Sequence, residues 1–250
     1  MRIAVVGGTG LVGRHTVVAL RRAGHGTVVL ARSLGIDLAT GDGLDQALVG
    51  VDAVVDVTNL QGADPAAVRQ GFATATRNLL AAERRASVQH HVLLSIVGVD
   101  KIEGNGHYAG KRAQEQLVAS AEVPATIQRA TQFHEFAGIL VEWSRRGNEA
   151  TVPPALVQPV AAAEVGAVLA ELAVAAPKGR ALDLAGPEPQ DLFDMARRTL
   201  AVRGQSLRLI PSWRGGPFGP EAAGEMLLPG PEARLGKVTF DDWLEEHAAR

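Results

Sequence analysis

Short, unbroken apolar runs alternate along this chain with longer stretches in which apolar positions recur every three or four residues. Arg2 to Val6, RIAVV, is the first run and Gly26 to Leu30, GTVVL, the second; Val51 to Val57 and Val88 to Val97 follow. Runs of this kind predict strands buried on both faces. After the first, Leu11, Val12, Val17, Val18, Leu20 and Ala23 mark an amphipathic helix ended by Gly24. Asp42 to Val49 reads as a short helix. Val68, Phe72, Ala75, Leu79 and Ala82 trace a long one over Pro65 to Arg85, with Pro65 in its first turn. A further strand is expected to be reduced to a few residues around Ile36-Asp37-Leu38.

The second half continues the alternation less regularly. Gly104-Asn105-Gly106 breaks the chain, and a helix is expected over Tyr108 to Ser120. A strand follows over Glu122 to Arg129, with Pro124 near its start, where a strand tolerates it. Helices are expected over Phe133 to Trp143, Ala162 to Ala175, Pro189 to Arg203 and Phe240 to His247, the last capped by Thr239. Asn148 to Val160 is Pro-rich, with two short strands. Arg180 to Ala185 and Leu207 to Ile210 are strand-like, and Pro211 to Pro220 is a Gly/Pro loop. Alternating strands and helices demand a parallel sheet with helices on both faces. The expected fold class is therefore α/β: a doubly wound parallel sheet over residues 1–150, which also receives part of the later chain, and a small carboxyl-terminal α/β lobe over residues 151–250.

Bulk composition narrows the function classes. A length of 250 residues suits one large domain, or one with a small annex. The net charge of −2 and pI near 6.4 argue against nucleic acid or an anionic membrane as partner. The chain has no cysteine, which removes disulfides, thiolate catalysis and cysteine-ligated metals. No run of about 18 apolar residues is present. The first strand starts at residue 2 and leaves no room for a signal peptide, so the expected setting is cytoplasmic. The expected partners are a small-molecule substrate and, as one possible assembly, a second copy in a homodimer.

The chemistry concentrates where the first strand meets the first helix. Gly7-Gly8-Thr9-Gly10-Leu11-Val12-Gly13 satisfies both G-x-G-x-x-G and G-x-x-G-x-x-G. One glycine permits the sharp turn, another lets backbone amides approach a pyrophosphate, and Gly13 lets the helix lie close to the sheet. The helix then offers free N–H groups and its positive dipole end to phosphate. After the second strand, Ala31-Arg32-Ser33 holds no acid to take a ribose 2′-hydroxyl, while Arg32 can pair with a 2′-phosphate; this favours NADP(H). Thr58-Asn59, at a strand's carboxyl end, would sit over the cofactor. His90 and His91 adjoin in a strand and point to opposite faces, a poor metal pair. No H-E-x-x-H or G-x-S-x-G is present. Phe133 and His134 are pocket or packing residues. Trp213 and Phe218 suit a substrate lid, a lobe core or an oligomer contact.

The chain resembles the NmrA-like, atypical branch of the extended short-chain dehydrogenase/reductase family. VVGGTGLVG, VVLARS, GVDAVVDVTN, LLSIVGVD and HYAGKRAQEQLVASAEVPATIQRATQFHEF carry the resemblance, with QPVAAAEVGAVLAELA and LDLAGPEP extending it through most of the chain. It implies a Rossmann sheet binding NADP(H) under a small carboxyl-terminal lobe. By the same resemblance Gly7, Gly10, Leu11, Val12 and Gly13 would hold the pyrophosphate. Thr9, Arg32 and Ser33 would face the adenosine phosphate, Asp37 and Leu38 would flank adenine, and Thr58 and Asn59 would approach the ribose. Ser95 would lie at the mouth, Lys111 would bond the nicotinamide ribose, and Ala130, Thr131 and Phe133 would line the nicotinamide.

One departure from the family pattern bears on catalysis. The superfamily's proton-donating tyrosine stands four residues before the lysine; here His107 holds that place and Tyr108, the only tyrosine, stands three before Lys111. Both share a helix face with the lysine. Three readings stay open: Tyr108 or His107 acts as the acid with Ser95 as hydrogen-bond partner; hydride moves with the proton coming from water or substrate; or the protein binds dinucleotide without turnover, as a redox sensor. A sugar-nucleotide epimerase would want the intact Tyr–Lys pair. The expected function is an NADP(H)-dependent oxidoreductase acting on a small carbonyl, enone, quinone or imine.

Overall fold

The computed structural model describes residues 1–62, 64–214 and 218–248. In chain order, β1 (Arg2–Val6), α1 (Leu11–Arg22), β2 (Gly26–Leu30), α2 (Leu44–Ala47), β3 (Ala53–Asp56), α3 (Pro65–Arg85), β4 (His90–Ile96), α4 (Gly106–Ala119) and β5 (Ala125–Ala130) form the strand–helix alternation. The chain continues through α5 (Phe136–Ser144), β6 (Glu149–Val152), β7 (Leu156–Val157), α6 (Ala162–Val174), β8 (Gly179–Arg180) and β9 (Leu184–Ala185). It closes with β10 (Gln190–Asp191), α7 (Leu192–Val202), β11 (Arg208–Pro211), β12 (Arg234–Leu235) and α8 (Phe240–Ala248).

The main sheet runs β2-β1-β3-β4-β5-β9-β12, with β8 also beside β5, and each pairing is parallel. The period-two alternation of a strand sorts β1 between two cores. Ile3 and Val5 join Val12, Val17 and Leu20 of α1 and Val165 and Leu169 of α6 on one face. Ala4 and Val6 join Leu44 and Leu48 around α2 and Leu79 and Ala82 of α3 on the other. Helices thus cover both faces, as a doubly wound sheet requires. The later chain supplies α6 and β8, β9 and β12 to this sheet. A second core, built from α5, α7 and α8 with Val152, Val157, Leu227 and Phe218, forms the small lobe over the carboxyl end of β4. There β6 pairs with β11 in parallel and β7 with β10 antiparallel.

Local chemistry places the helix starts. Asp64 accepts from the N–H of Ala66 at 3.0 Å, and Pro65 opens α3. Asn105 accepts from the N–H groups of His107 and Tyr108 at 3.0 and 3.2 Å, so α4 begins just ahead of Tyr108. Thr239 accepts from the N–H of Asp242 at 3.1 Å and caps α8.

Two strand expectations change. Residues 36–38 form no strand. Gly35, Gly41 and Gly43 all take positive φ, and Asp37 closes its own turn by accepting from the N–H of Ala39 at 2.8 Å. Backbone groups satisfied locally have no need of a ladder, so β2 is the edge strand. The single strand expected over Arg180 to Ala185 is two short ones, β8 and β9, parted at the exposed Leu182. Of the Pro211–Pro220 loop, residues 215–217 lie outside the described residues.

The two adjacent histidines do point apart. His90 Nε2 meets Thr126 Oγ1 at 2.9 Å, and His91 Nδ1 meets the Glu83 carboxylate at 2.8 and 3.0 Å. The His91–Glu83 pair is fully buried and ties α3 to β4. Burial raises the Glu83 carboxyl above its ordinary range; for His91 burial works downward, and Glu83 beside it turns the net direction upward. Glu83→Ala leaves the imidazole without its partner, and loss of one member of a buried pair costs about 3–5 kcal/mol. Urea unfolding is expected to show a loss of that order; a change below about 1 kcal/mol, the range of an exposed pair, would contradict this role.

Candidate cofactor and active site

The turn between β1 and α1 is held open by its glycines. Gly7 has φ +78°, a region that favours glycine, and its N–H donates to Leu30 O at 2.9 Å, so the turn starts against the end of β2. A Cβ on Gly13 would stand 2.2 Å from Gly7 O and 2.6 Å from Gly8 Cα. A Cβ on Gly8 would meet Val5 O and Val29 Cγ1, each at 2.9 Å. Gly10 caps α1 with no side-chain hydrogen bond, and no acid stands in the first helical turn. The amides of Leu11, Val12 and Gly13 therefore stand at the positive end of the helix, beside a turn built of glycines. This cradle fits a pyrophosphate. Thr9 lies within it, and Arg32 and Ser33 stand exposed beyond the end of β2. Asp37 and Leu38 are half-buried; Leu38 O accepts from Asn78 Nδ2 of α3 at 2.9 Å, which pins their turn.

The carboxyl ends of β3 and β4 meet a buried ammonium. Lys111 Nζ donates to Thr58 O at 3.0 Å, to Leu94 O at 2.9 Å and to Gln114 Oε1 at 2.9 Å, and lies 5.2 Å from the centre of the Phe72 ring. Gln114 Nε2 in turn donates to Asp56 Oδ2 at 2.7 Å, while Asp56 Oδ1 accepts from the N–H of Thr58 at 2.8 Å. Burial pulls the Lys111 ammonium down to about 8, with Asp56 and Glu115 acting in the opposite sense. Lys111 thus holds the Thr58-Asn59 segment in place from below, with its N–H groups engaged within the protein. Thr58 is buried and Asn59 exposed beside it.

The candidate proton donors sit differently from one another. Tyr108 is buried in the lobe core, edge-on to Phe218 with ring centres 6.2 Å apart. Its oxygen accepts from Gln132 Nε2 at 3.4 Å, and burial raises its phenol far above the ordinary value, the Gln132 contact acting weakly against it. His107 packs edge-on to Phe72, ring centres 5.6 Å apart, and burial followed by the Lys111 charge lowers it to about 4. At neutral pH it carries no proton to give as an imidazolium. Ser95 is buried near the end of β4, and neither its Oγ nor Gln132 Oε1, just beyond β5, has a hydrogen-bond partner. Two unpartnered polar atoms at adjacent strand ends suit a ligand held at the carboxyl edge of the sheet.

The remaining sequence-singled residues divide between site and lobe. Ala130 is buried at the end of β5, Thr131 donates from Oγ1 to Gln158 O at 2.5 Å, and Phe133 is partly exposed beside them. His134 turns the other way. Its Nε2 meets Val238 O at 3.0 Å and its ring packs between Phe240 and Trp243, so it belongs to the lobe core. Phe218 is lobe core as well, and Trp213 packs against it only partly buried.

Comparison with known proteins accords with this geometry. Residues 3–99 match the NAD dependent epimerase/dehydratase family. The chain has a Rossmann-like α/β fold, and its amino-terminal part is similar to that family. UDP-glucose 4-epimerase of Thermotoga maritima superposes with a TM-score of 0.77 over 100% of this chain and 98% of that one, at 14% identity. An NADPH-dependent quinone oxidoreductase of Escherichia coli gives 0.68 over 98% and 99%, at 15% identity. Photosystem II assembly factor Ycf39 of Synechocystis is 29% identical over 147 residues; the match spans 53% of this chain and 45% of that protein, less than half of its length.

This Rossmann protein also uses residues that sequence reasoning passed over. Asp56 lies inside an apolar strand run, and Gln114 stands one helical turn after Lys111; the acid in that run was the available signal. Arg129, on β5, donates to Glu115 at 2.6 and 2.8 Å and to Asp100 at 2.5 and 3.1 Å, joining α4 and the loop after β4 to the sheet. Between pH about 8 and 10.5 the folded protein releases the Lys111 proton that the unfolded chain keeps. Stability therefore rises with pH across that window. In Lys111→Met this rise should vanish, so the unfolding free energy of wild type minus variant should climb from pH 8 to 10.5. A flat difference would show that the ammonium is not held in this way.

Proposed function

We propose that this protein is an NADP(H)-dependent oxidoreductase acting on a small carbonyl, enone, quinone or imine. The observation that carries the reading is the cradle at the end of β1, where a Cβ on Gly13 would strike Gly7 O and where uncapped amides stand at the start of α1. When bound, the nicotinamide supplies or takes up the hydride. Gly7, Gly10 and Gly13 would hold the pyrophosphate, Arg32 and Ser33 the 2′-phosphate, Thr58 and Asn59 the ribose, and Ala130, Thr131 and Phe133 the ring. Lys111 acts through the Thr58 segment that it anchors. No helix among the described residues is long and apolar enough to cross a membrane, and we place the reaction in the cytoplasm, on a dissolved substrate.

The position of the donors bears on which acceptors suit the site. Tyr108 is sealed beneath Phe218 and His107 is neutral at pH 7. In this reading the protein offers Ser95 and Gln132 as hydrogen-bonding groups, and water or the substrate supplies the proton. A quinone or a conjugated enone suits such a site better than a simple ketone, because the anion left after hydride addition is delocalised and far less basic than an alkoxide. NADPH oxidation at neutral pH should be fastest with quinone and enone acceptors and slowest with unconjugated ketones. Tyr108→Phe should leave the rate within about twofold, since removing a true general acid costs about 10²–10⁴. A fall of that size would return the acid role to Tyr108.

A non-catalytic NADP(H)-binding redox sensor is the second reading, and the same sealing of Tyr108 favours it. A sensor would bind NADPH in calorimetry yet oxidise none with any acceptor in the panel. For either reading Arg32→Ala should weaken NADPH by about tenfold or more while sparing NADH, the scale of one charge-assisted hydrogen bond lost. Equal losses for both nucleotides would refute the phosphate assignment.

A further inference from the structure

Gln132 stands two residues beyond β5, and its backbone is fixed there. Its carbonyl accepts from the N–H of Val160 at 2.9 Å, the N–H of His134 donates to Val160 O at 3.1 Å, and Phe133 forms a parallel bridge to Val160 between them. The residue is only 5% exposed. Its Nε2 donates to Tyr108 Oη at 3.4 Å, and Tyr108 is itself sealed in the lobe core. One end of the amide is thus tied to α4. The other end, Oε1, is buried and has no hydrogen-bond partner.

Ser95 is placed beside it by the neighbouring strand. β4 and β5 run parallel, with Ser95 opposite Arg129 and Ile96 opposite Ala130, so both residues stand at the carboxyl ends of adjacent strands. Ser95 is 4% exposed, and its Oγ also lacks a partner. The two groups differ in what they can take. A hydroxyl both donates and accepts, so Ser95 can meet a carbonyl or an N–H; an amide oxygen only accepts. A buried acceptor left unpaired keeps the whole penalty of its desolvation. The group that relieves Gln132 Oε1 must therefore bring a hydrogen of its own.

We propose that Gln132 Oε1 accepts a hydrogen bond from an O–H or N–H of the substrate, so that the site selects conjugated carbonyl compounds carrying a hydrogen-bond donor. The proposal rests on the oxidoreductase reading above and narrows its substrate class. In the reduction the acceptor gains a hydride from NADPH and a proton from water; the O–H or N–H on Gln132 is neither made nor broken, so Gln132 binds and orients without taking part in the transfer. The Val160 and Tyr108 contacts fix the amide before any ligand arrives, which lowers the ordering cost of binding. An analogue that lacks the donor would bury Oε1 unpaired, which is how a polar site rejects it.

The test compares three quinones on the whole chain: 2-(hydroxymethyl)-1,4-naphthoquinone, its 2-ethyl analogue, which matches it in size, and its methyl ether, which keeps the oxygen and loses the hydrogen. Each is assayed for NADPH oxidation, and its binding to the NADP⁺-loaded protein is followed by calorimetry, for wild type and Gln132→Met; thermal melts check the variant's fold. Wild type is expected to prefer the alcohol over both analogues by about tenfold or more in kcat/KM and to bind it more tightly, and Gln132→Met to hold the three within about twofold. The wild-type comparison stands whether or not the variant folds. Equal values for the three in wild type would overturn the role of Gln132 and leave the oxidoreductase reading in place. An ether as good as the alcohol, with the ethyl compound alone poor, would mean that the amide presents its N–H₂, and an ethyl compound as good as the alcohol, with the ether alone poor, would mean selection by bulk; either overturns the proposal. So would a loss of NADPH affinity in Gln132→Met with the quinone preference unchanged, which would put Oε1 on the nicotinamide carboxamide. If NADPH binds but no quinone is reduced, the oxidoreductase reading falls, and the calorimetric preference still decides the role of Gln132.

Discussion

The carbonyl of Gly7 occupies the place where a side chain on Gly13 would begin, and this contact governs the geometry of the whole cofactor corner. With only hydrogen on Gly13, the first turn of α1 rests directly on the loop that precedes it. Its first-turn amides then stand beside a turn built of glycines. The same closeness repeats where α1 meets α6, its neighbour on that face of the sheet: a Cβ on Gly166 of α6 would meet His15 Cβ at 2.7 Å. Helix α1 is thus drawn close to the β1 turn and to α6 by small residues, and Val12, Val17 and Leu20 complete an apolar layer with Ile3 and Val5. Since β1 lies between the edge strand β2 and β3, the ends of both neighbours stand beside the corner.

The opposite face of the sheet is held by charge as well as by apolar packing. Glu83 and His91 join α3 to β4, Lys111, Gln114 and Asp56 join α4 to the ends of β3 and β4, and Arg129 joins β5 to Glu115 and Asp100. Each set places a cationic or basic group against acceptors that answer it, the condition under which buried charge is tolerated. Removing one member leaves the other buried without a partner, so these sets hold two helices to the sheet in one arrangement. The Lys111 set has a further consequence for chemistry: it fixes Thr58 and Asn59, the segment that borders the cofactor cradle.

The carboxyl-terminal lobe decides which side chains of α4 are sealed away from the sheet's carboxyl edge. Phe218 packs on Tyr108 and Phe136, and Met226 O lies close enough to Gly98 that a Cβ there would come within 2.8 Å. The lobe thereby draws Tyr108 into its own core and leaves Ser95 and Gln132 as the unpartnered polar groups near the strand ends. His134 is drawn in likewise, tilted against the stacked Phe240 and Trp243 rings of α8.

Elements whose cause is local could be read directly from the chain. The glycine turn, the bounds of β1 and α1, the span of α3 from Pro65 to Arg85 and the cap at Thr239 follow from residue types a few positions apart, because backbone sterics and capping act over that range. The opposed directions of His90 and His91 follow from strand alternation alone. The strand expected at residues 36–38 failed where turn chemistry at Asp37 and three positive-φ glycines overrode apolar patterning. The partners of Lys111, the burial of Tyr108 and the pull of His134 into the lobe were beyond reach of the sequence. Each depends on groups brought together from distant parts of the chain, such as Lys111 with Thr58 and Leu94, or Tyr108 with Phe218. Hydrogen bonding and desolvation act on distance in space, so the sequence determined which groups carry charge, and tertiary packing alone decided which of them still face the cofactor corner.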